Sequence, residues 1–286
     1  MSYDKTVKQI TVLGTGTIGA SWTTHYLSRG FDVTATDPGP DAEAKVRKYV
    51  DEAWGLLDAN GLVADGASRD RLSFTANQSD ALAKADFVQE NAPERPGTDF
   101  KAKLYVDLDD ATPEDTIIAS SSSGIPPTEI QSKCKHPERV LIGHPFNPPH
   151  IVPLVEVVGG KKTSPDAIQQ AMAFYAEIGK KPVLLHKELR GHVANRLQAA
   201  LYKEVLYLIQ LGALSVEDAD AAVCFGPGLR WGVMGPSLQW HLGGGAGGIQ
   251  HYMDTLYPGL THLMTSLELP DFTDELKKTI VDGVLG

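Results

Sequence analysis

The chain has 286 residues, 42% of them apolar and 22% charged, which is the composition of a globular protein long enough for two domains. A net charge of -10 without any basic cluster argues against nucleic acid as a partner. Cys134 and Cys224 are far apart and lack metal-ligand spacing, which indicates a reducing compartment and no metal site. No apolar run is long enough to span a membrane, and the N-terminus lacks a signal-peptide core, so we predict a cytoplasmic protein without a membrane partner.

The first predicted elements are a strand, a glycine-rich turn and a helix. The strand at Gln9–Leu13 runs into the turn, the helix continues to Ser28, and a second strand at Asp32–Thr36 ends at Asp37. Such a turn lets a pyrophosphate approach helix-terminal N–H groups, and Asp37 would bind a ribose diol and repel a 2′-phosphate, which favours NAD over NADP. The predicted cofactor-binding residues of the turn are Gly14, Thr15, Gly16, Thr17, Ile18 and Gly19. The alternative is a glycine-rich turn that binds no ligand.

Strands and helices then alternate, which predicts an α/β fold with a doubly wound, mainly parallel, Rossmann-type sheet. The predicted strands are 71–74, 86–90, 116–119 and 181–185, and the predicted helices are 41–60, 101–108 and 165–178. Glu90, Asn91, Glu94 and the serine run 120–123 all follow strand ends, where ligands bind in such sheets. For the serines, an ordinary loop is the alternative interpretation.

A histidine and a glutamate twelve positions apart stand out as a possible acid–base pair. We predict that a buried strand, Val140–Gly143, stops just before His144, and that Pro145, Pro148 and Pro149 exclude both a helix and an inner strand. Glu156 interrupts a second apolar run, where a carboxylate needs a partner. A carboxylate that orients an imidazole produces a general base near neutral pH, although a core histidine and a strand-edge glutamate are an equal alternative.

The composition changes after the last strand, so we place a domain boundary near Lys187. Residues 1–187 are predicted to form the NAD-binding domain, and residues 188–286 a smaller all-α C-terminal domain for substrate binding and dimerisation. Its first helix is predicted over 192–211. The stretches 226–232 and 241–245 are predicted to be irregular, and the remainder helical.

Several of these motifs together resemble the 3-hydroxyacyl-CoA dehydrogenase family over almost the whole chain. They are the glycine turn, Ser120–Ser123, Gly143-His144-x-Phe146-Asn147-Pro148, Pro153-Leu-Val-Glu156-Val and Val193-Ala-Asn195-Arg196-Leu197. The resemblance implies an NAD-dependent oxidation of a secondary alcohol in a homodimer. It also implies that His144, Glu156, Ser123 and Asn195 surround the substrate hydroxyl, that Lys101 and Glu94 lie near the cofactor, and that Asn147 shapes its loop or contacts the nicotinamide side.

The chain departs from the family pattern in three places. Ser121 and Ser122 stand where the acyl-CoA enzymes usually carry Asn-Thr, and the segment 95–100 is about two residues longer than expected before Lys101. Within the family, the stretches 143–149, 227–231 and 241–245 most resemble members that oxidise carnitine. The C-terminal end is shorter than we expect for those members.

The substrate prediction rests on Arg230 and on aromatic residues of the C-terminal domain. Arg230 could bind a free carboxylate, and Trp231, together with Trp240 and Tyr202, could face a quaternary ammonium group. Carnitine carries both groups beside a hydroxyl, so a small carnitine-like hydroxy acid is the predicted substrate. Alternatively, the tryptophans belong to a core or dimer interface and Arg230 forms a salt bridge. The competing functions are the same chemistry on L-gulonate or a 3-hydroxyacyl-CoA, and a non-catalytic, crystallin-like NAD-binding protein.

Overall fold

The structure is a computed structural model that describes residues 6–95 and 99–285. It divides into two compact units, Met1–Ala194 and Asn195–Gly286. The division falls seven residues after the boundary predicted near Lys187. The reason is that the backbone N–H groups of Val193 and Ala194 donate to Glu156, which ties this stretch to the first unit.

The first unit contains one eight-stranded sheet, which confirms the predicted α/β class. The strands are β1 Gln9–Leu13, β2 Asp32–Thr36, β3 Leu72–Phe74, β4 Phe87–Glu90, β5 Ile117–Ser120, β6 Val140–Pro145, β7 Leu154–Gly159 and β8 Lys181–Leu185. Their order is β3-β2-β1-β4-β5-β6-β7-β8, and every neighbouring pair is parallel except β6 and β7. The order reverses beside β1, at the turn that follows the first strand, where such sheets bind ligands.

The helices of the first unit cover both faces of this sheet, as the alternation of elements predicts. They are α1 Thr17–Ser28, α2 Ala42–Ala59, α3 Gln78–Leu82, α4 Asp99–Ala111, α5 Pro127–Ile130 and α6 Pro165–Glu177. On one face, Trp22 stacks on Tyr26 with ring centroids 5.1 Å apart, and Phe87 packs on Phe174 at 4.4 Å. This aromatic core holds α1 and α6 against the strands that carry the candidate site.

One prediction about the strands was wrong, because β6 does not stop at Gly143. It continues through His144 and Pro145, and His144 lies opposite Glu156 in the antiparallel pair with β7. An inner strand tolerates Pro145 here because the pairing of β5 with β6 ends at Ile142. Beyond that residue β6 has a neighbour on one side only, so the missing N–H of proline interrupts no ladder.

The described part of the second unit is helical, as predicted, but its irregular stretches are shorter than expected. Its helices are α7 Ala194–Gln210, α8 Val216–Val223, α9 Leu229–Trp231, α10 Pro236–Gly243, α11 Gly248–Thr255, α12 Tyr257–Met264 and α13 Asp274–Leu285. The predictions of irregular structure were wrong for 229–231, which form α9, and for 241–243, which complete α10. Conversely, 265–273 is not helical. Among the residues described, no helix combines the length and apolar character needed to cross a membrane.

Candidate functional site

The glycine-rich turn between β1 and α1 has the geometry of a phosphate-binding loop. Gly14 has φ +82°, and a Cβ there would lie 2.9 Å from the carbonyl of Asn91, so only glycine fits. A Cβ on Gly19 would overlap the Gly14 carbonyl oxygen at 1.8 Å, which keeps α1 close to the turn. Gly16 meets nothing within 4 Å, leaving open space before the first N–H groups of α1, where an anion would bind.

Asp37 lies at the end of β2 and faces this turn. Its Oδ2 accepts hydrogen bonds from the N–H of Thr15 at 2.7 Å and from the Thr15 hydroxyl at 3.1 Å, and its Oδ1 accepts from Gly39 at 2.7 Å. Beside it is a cavity of about 460 Å³, lined among others by Gly14, Asp37 and Ala92. The cavity and the open turn have room for the adenosine and pyrophosphate parts of a dinucleotide, and the contact of Asp37 with the ribose stays a prediction.

His144 and Glu156 form the buried pair that the sequence suggested. His144 Nδ1 lies 3.0 Å from Glu156 Oε2, and the other carboxylate oxygen accepts the N–H groups of Val193 at 2.8 Å and Ala194 at 2.9 Å. Burial raises the pKa of Glu156, but the hydrogen bonds from His144, Ala194 and Val193 outweigh it, so the pKa lies below its ordinary value. The ionised carboxylate therefore orients the ring and leaves Nε2 as its free nitrogen.

Glu94 and the serine run form a second hydrogen-bonded group in the first unit. Glu94 Oε1 accepts the Ser122 hydroxyl at 2.7 Å and the backbone N–H groups of Ser123 at 2.6 Å and Gly124 at 3.1 Å. Burial by itself would raise the pKa of Glu94. The hydrogen bonds lower it by more, so the pKa lies below its ordinary value. The Ser123 hydroxyl lies 3.3 Å from the same oxygen, and a ligand would have to compete with Glu94 for it.

The other predicted site residues are placed differently from one another. Lys101 is 1% exposed and its Nζ lies 2.5 Å from Glu90 Oε1, so its ammonium supports β4 from inside and is closed to solvent. Asn147 is exposed in the loop after β6. Pro96, Gly97 and Thr98, which make up most of the longer segment before Lys101, lie outside the described residues.

The remaining candidates belong to the second unit. Asn195 lines a cavity of about 580 Å³ there, together with Tyr202 and Asp220. Arg230 and Trp231 are exposed residues of α9, and the ring of Trp240 stacks on Tyr252 with centroids 4.8 Å apart. The roles predicted for these residues remain predictions.

Two buried basic residues beside the site were missed by the sequence reasoning. His192, treated there only as the start of a helix, lies before α7 with φ +49°, and its ring centroid is 4.9 Å from that of His144. Lys180 donates to the carbonyl oxygens of Pro149 and Val152, and so holds the loop that joins His144 to Glu156. The only sequence feature that could have drawn attention to His192 is a Gly-His pair before a helix. No sequence feature distinguishes Lys180 from a surface lysine.

The environment of Lys180 predicts a pH dependence of stability. Burial, and then the positive charge of Arg29, lower its pKa from 10.5 to about 7, and His25 and His150 are further basic neighbours. Between these two pH values the unfolded chain binds more protons than the folded one, so the free energy of unfolding rises with pH. We expect wild type to gain up to about 1.4 kcal/mol per pH unit over Lys180→Met between about pH 7 and 10.

Urea unfolding of both proteins at several pH values measures this difference. Taking the difference between the two proteins cancels the titration of distant groups that they share. His25 and His150, whose pKa values are lowered from 6.5, do not titrate in this pH range. A difference that stays constant over this pH range would contradict a lowered pKa for Lys180.

Comparisons with known proteins agree with this geometry. Residues 9–189 match the family described as the NAD-binding domain of 3-hydroxyacyl-CoA dehydrogenase, and residues 191–271 match its C-terminal domain. L-carnitine dehydrogenase from Streptomyces griseus is 47% identical over 277 residues, which are 97% of this chain and 82% of that protein. L-carnitine dehydrogenase from Bacillus cereus is 44% identical over 277 residues, which are 97% of this chain and 84% of that protein.

A solved structure is similar over the same extent. The crystal structure of 5-formyl-3-hydroxy-2-methylpyridine 4-carboxylic acid 5-dehydrogenase, an NAD⁺-dependent dismutase, superimposes with a TM-score of 0.85 and 33% identity. The match covers 97% of this chain and 87% of that one.

Proposed function

Because this chain belongs to the 3-hydroxyacyl-CoA dehydrogenase family of NAD-dependent oxidoreductases, we propose that it oxidises the 3-hydroxyl of L-carnitine to a ketone. The observation that carries the chemistry is the buried His144–Glu156 pair on adjacent strands. The choice of substrate is supported by the two relatives named L-carnitine dehydrogenase, each of which aligns with 97% of the length of this chain.

In the proposed reaction, Nε2 of His144 takes the proton of the substrate hydroxyl. The imidazolium that forms is stabilised by the ionised Glu156, whose carboxylate also holds the ring in the tautomer that leaves Nε2 unprotonated beforehand. Bound NAD supplies the hydride acceptor for the carbon that bears the hydroxyl. Ser123 and Asn195 are proposed to hydrogen-bond the substrate oxygen, which fixes its position as the alcohol becomes a carbonyl.

The carboxylate and the trimethylammonium group of carnitine are proposed to bind to residues of the second unit. Arg230 is proposed to bind the carboxylate of carnitine, since its guanidinium is exposed and can form two parallel hydrogen bonds. Trp231 is proposed to face the trimethylammonium group, because it is 42% exposed in the same short helix. Trp240 is the weaker candidate, because Tyr252 covers one face of its ring.

The test is NADH formation at alkaline pH with L-carnitine, D-carnitine, L-gulonate and 3-hydroxybutyryl-CoA, using wild type and Arg230→Ala. We expect turnover of L-carnitine, with KM raised about tenfold or more in the variant, because a charge-assisted pair is lost. Turnover of the CoA ester alone would reject both the substrate and the role of Arg230. Turnover of L-gulonate alone would retain the carboxylate site and reject the cation site.

We also propose that the chain forms a homodimer in the cytoplasm. The second unit by itself buries few apolar side chains, and Phe225 and Val233 are 82% and 80% exposed. A second copy of the chain would cover such residues. The two free cysteines, Cys134 and Cys224, are consistent with a reducing compartment. Sedimentation equilibrium gives the mass that tests the dimer.

A further inference from the structure

His192 is a buried histidine with one nitrogen that has no partner. His192 is 2% exposed, and its Nε2 lies 3.0 Å from the carbonyl oxygen of Ser122. Since a carbonyl oxygen only accepts, Nε2 carries the hydrogen and Nδ1 is left with an acceptor lone pair. Among the residues that the structure describes, no group donates to Nδ1.

The ring is placed between the two hydrogen-bonded groups of the candidate site. Its centroid is 4.9 Å from that of His144, at an angle of 48° between the planes. Ser122, which accepts its Nε2–H, donates its own hydroxyl to Glu94 at 2.7 Å. The next two residues along the chain donate their N–H groups to Glu156. His192 therefore connects the serine run to the His144–Glu156 pair within the first unit.

The backbone and charge of His192 are both constrained. With φ +49° it occupies the left-handed region, which a residue other than glycine adopts at some cost. Burial lowers the pKa of His192, and the positive charge that His144 can carry also lowers it. The hydrogen bond to Ser122 raises this pKa by less, so the net shift is downward. Because the His192 ring is neutral, it does not repel the positive charge of the imidazolium that forms when His144 takes a proton.

We propose that His192 is a cofactor-binding residue of the reaction centre, whose Nδ1 accepts a hydrogen bond from the carboxamide N–H of the nicotinamide. A buried acceptor without a donor is unfavourable in the free protein, and a bound donor removes that cost. The alcohol hydroxyl is not the donor, because its single proton goes to Nε2 of His144 in the proposed reaction. This inference rests on the proposed function for the role of His144 and on the family for NAD.

Two amide substitutions separate the two nitrogens of the ring. The amide of His192→Gln reaches the position of Nε2, so it keeps a donor to Ser122 and loses the acceptor at Nδ1. The amide of His192→Asn lies near Nδ1, so it offers an acceptor there and loses the donor to Ser122; asparagine also tolerates a positive φ. The measurements are the Kd for NAD by fluorescence titration, kcat and KM for L-carnitine, and the thermal midpoint.

We expect His192→Gln to raise the Kd for NAD about tenfold, the usual effect of one buried hydrogen bond, while His192→Asn keeps a Kd within about threefold of wild type. Such a rise in the Kd for NAD in His192→Gln alone supports the carboxamide as the donor. A loss in kcat/KM for L-carnitine at an unchanged Kd for NAD would overturn the inference. Equal binding and turnover in wild type and His192→Gln would overturn the inference, as would equal losses in both variants with lowered thermal midpoints.

Failure of the proposed function is separate from these outcomes. It would appear as wild type that binds NAD and does not oxidise L-carnitine, before any variant is compared. The comparison of the two variants in NAD binding requires no turnover, so the carboxamide assignment can still be tested.

Discussion

We expect His144→Asn to lower kcat for L-carnitine oxidation by about 10²- to 10⁴-fold, the usual contribution of a positioned general base. The asparagine amide can still donate to Glu156 from the position of Nδ1, so the buried carboxylate keeps a partner. What the variant lacks is Nε2, the atom that takes the hydroxyl proton. Because the glycine turn and Asp37 are unchanged, the Kd for NAD should stay within about twofold.

The measurements are steady-state NADH formation and NAD binding on wild type, His144→Asn and a control, His186→Asn. His186 is exposed after β8 and has no part in the proposed reaction. We expect the control to behave as wild type in both assays. If His144→Asn kept kcat within tenfold of wild type, His144 would not be the base. A large rise in the Kd for NAD would instead show that the substitution disturbs the cofactor site.

Among the substitutions considered, we expect Asp109→Asn to destabilise the fold most, with a loss of about 3–5 kcal/mol in the free energy of unfolding. Arg139 is fully buried, and its guanidinium contacts Asp109 Oδ1 at 2.7 Å from Nη2 and 3.2 Å from Nε. The same guanidinium donates to the backbone carbonyls of Asp109 and Thr112. The substitution leaves a buried cation without its carboxylate, and carbonyl dipoles do not replace a full charge.

Asp110→Asn is the matched control, because it makes the same chemical change one residue away. Asp110 pairs with Lys135 at 2.7 Å, but the side chains are 48% and 70% exposed. Water screens such a pair, so we expect no measurable change in the free energy of unfolding. Urea unfolding of the three proteins tests this. Equal stability of wild type and Asp109→Asn would mean that the buried pair does not stabilise the fold.

The geometry of the glycine-rich turn and Asp37 was predictable from the sequence because these parts are close together along the chain. A strand, three glycines, a helix and Asp37 lie within 29 residues, counted from Gln9 to Asp37. The open space at Gly16 and the close approach of Gly14 to Asn91 are what those glycines imply. The partnership of His144 and Glu156 was predictable for a related reason, since a carboxylate in an apolar run requires a partner and only a short loop separates the two.

The strand pairing around that partnership was not predictable to the same degree. Residue pattern indicates a strand but not its direction, so the antiparallel step between β6 and β7 appears only in the sheet. For the same reason the sequence placed the end of β6 at Gly143. Proline is unfavourable in a strand with two neighbours, and no local signal shows that β5 stops at Ser120 and leaves Pro145 with one.

The sequence by itself therefore determined the α/β class, the glycine-rich turn, the contact of His144 with Glu156 and the helical character of the second unit. Each depends on periodicity, on glycine and proline conformations, or on residues joined by a short loop. Only the tertiary structure decided that Lys101 is enclosed with Glu90, that Lys180 holds the loop after β6, and that His192 lies against His144. Burial and hydrogen-bond partners set the charge and orientation of those groups. For His192 the partner is Ser122, 70 positions away along the chain, and no local pattern encodes such a contact.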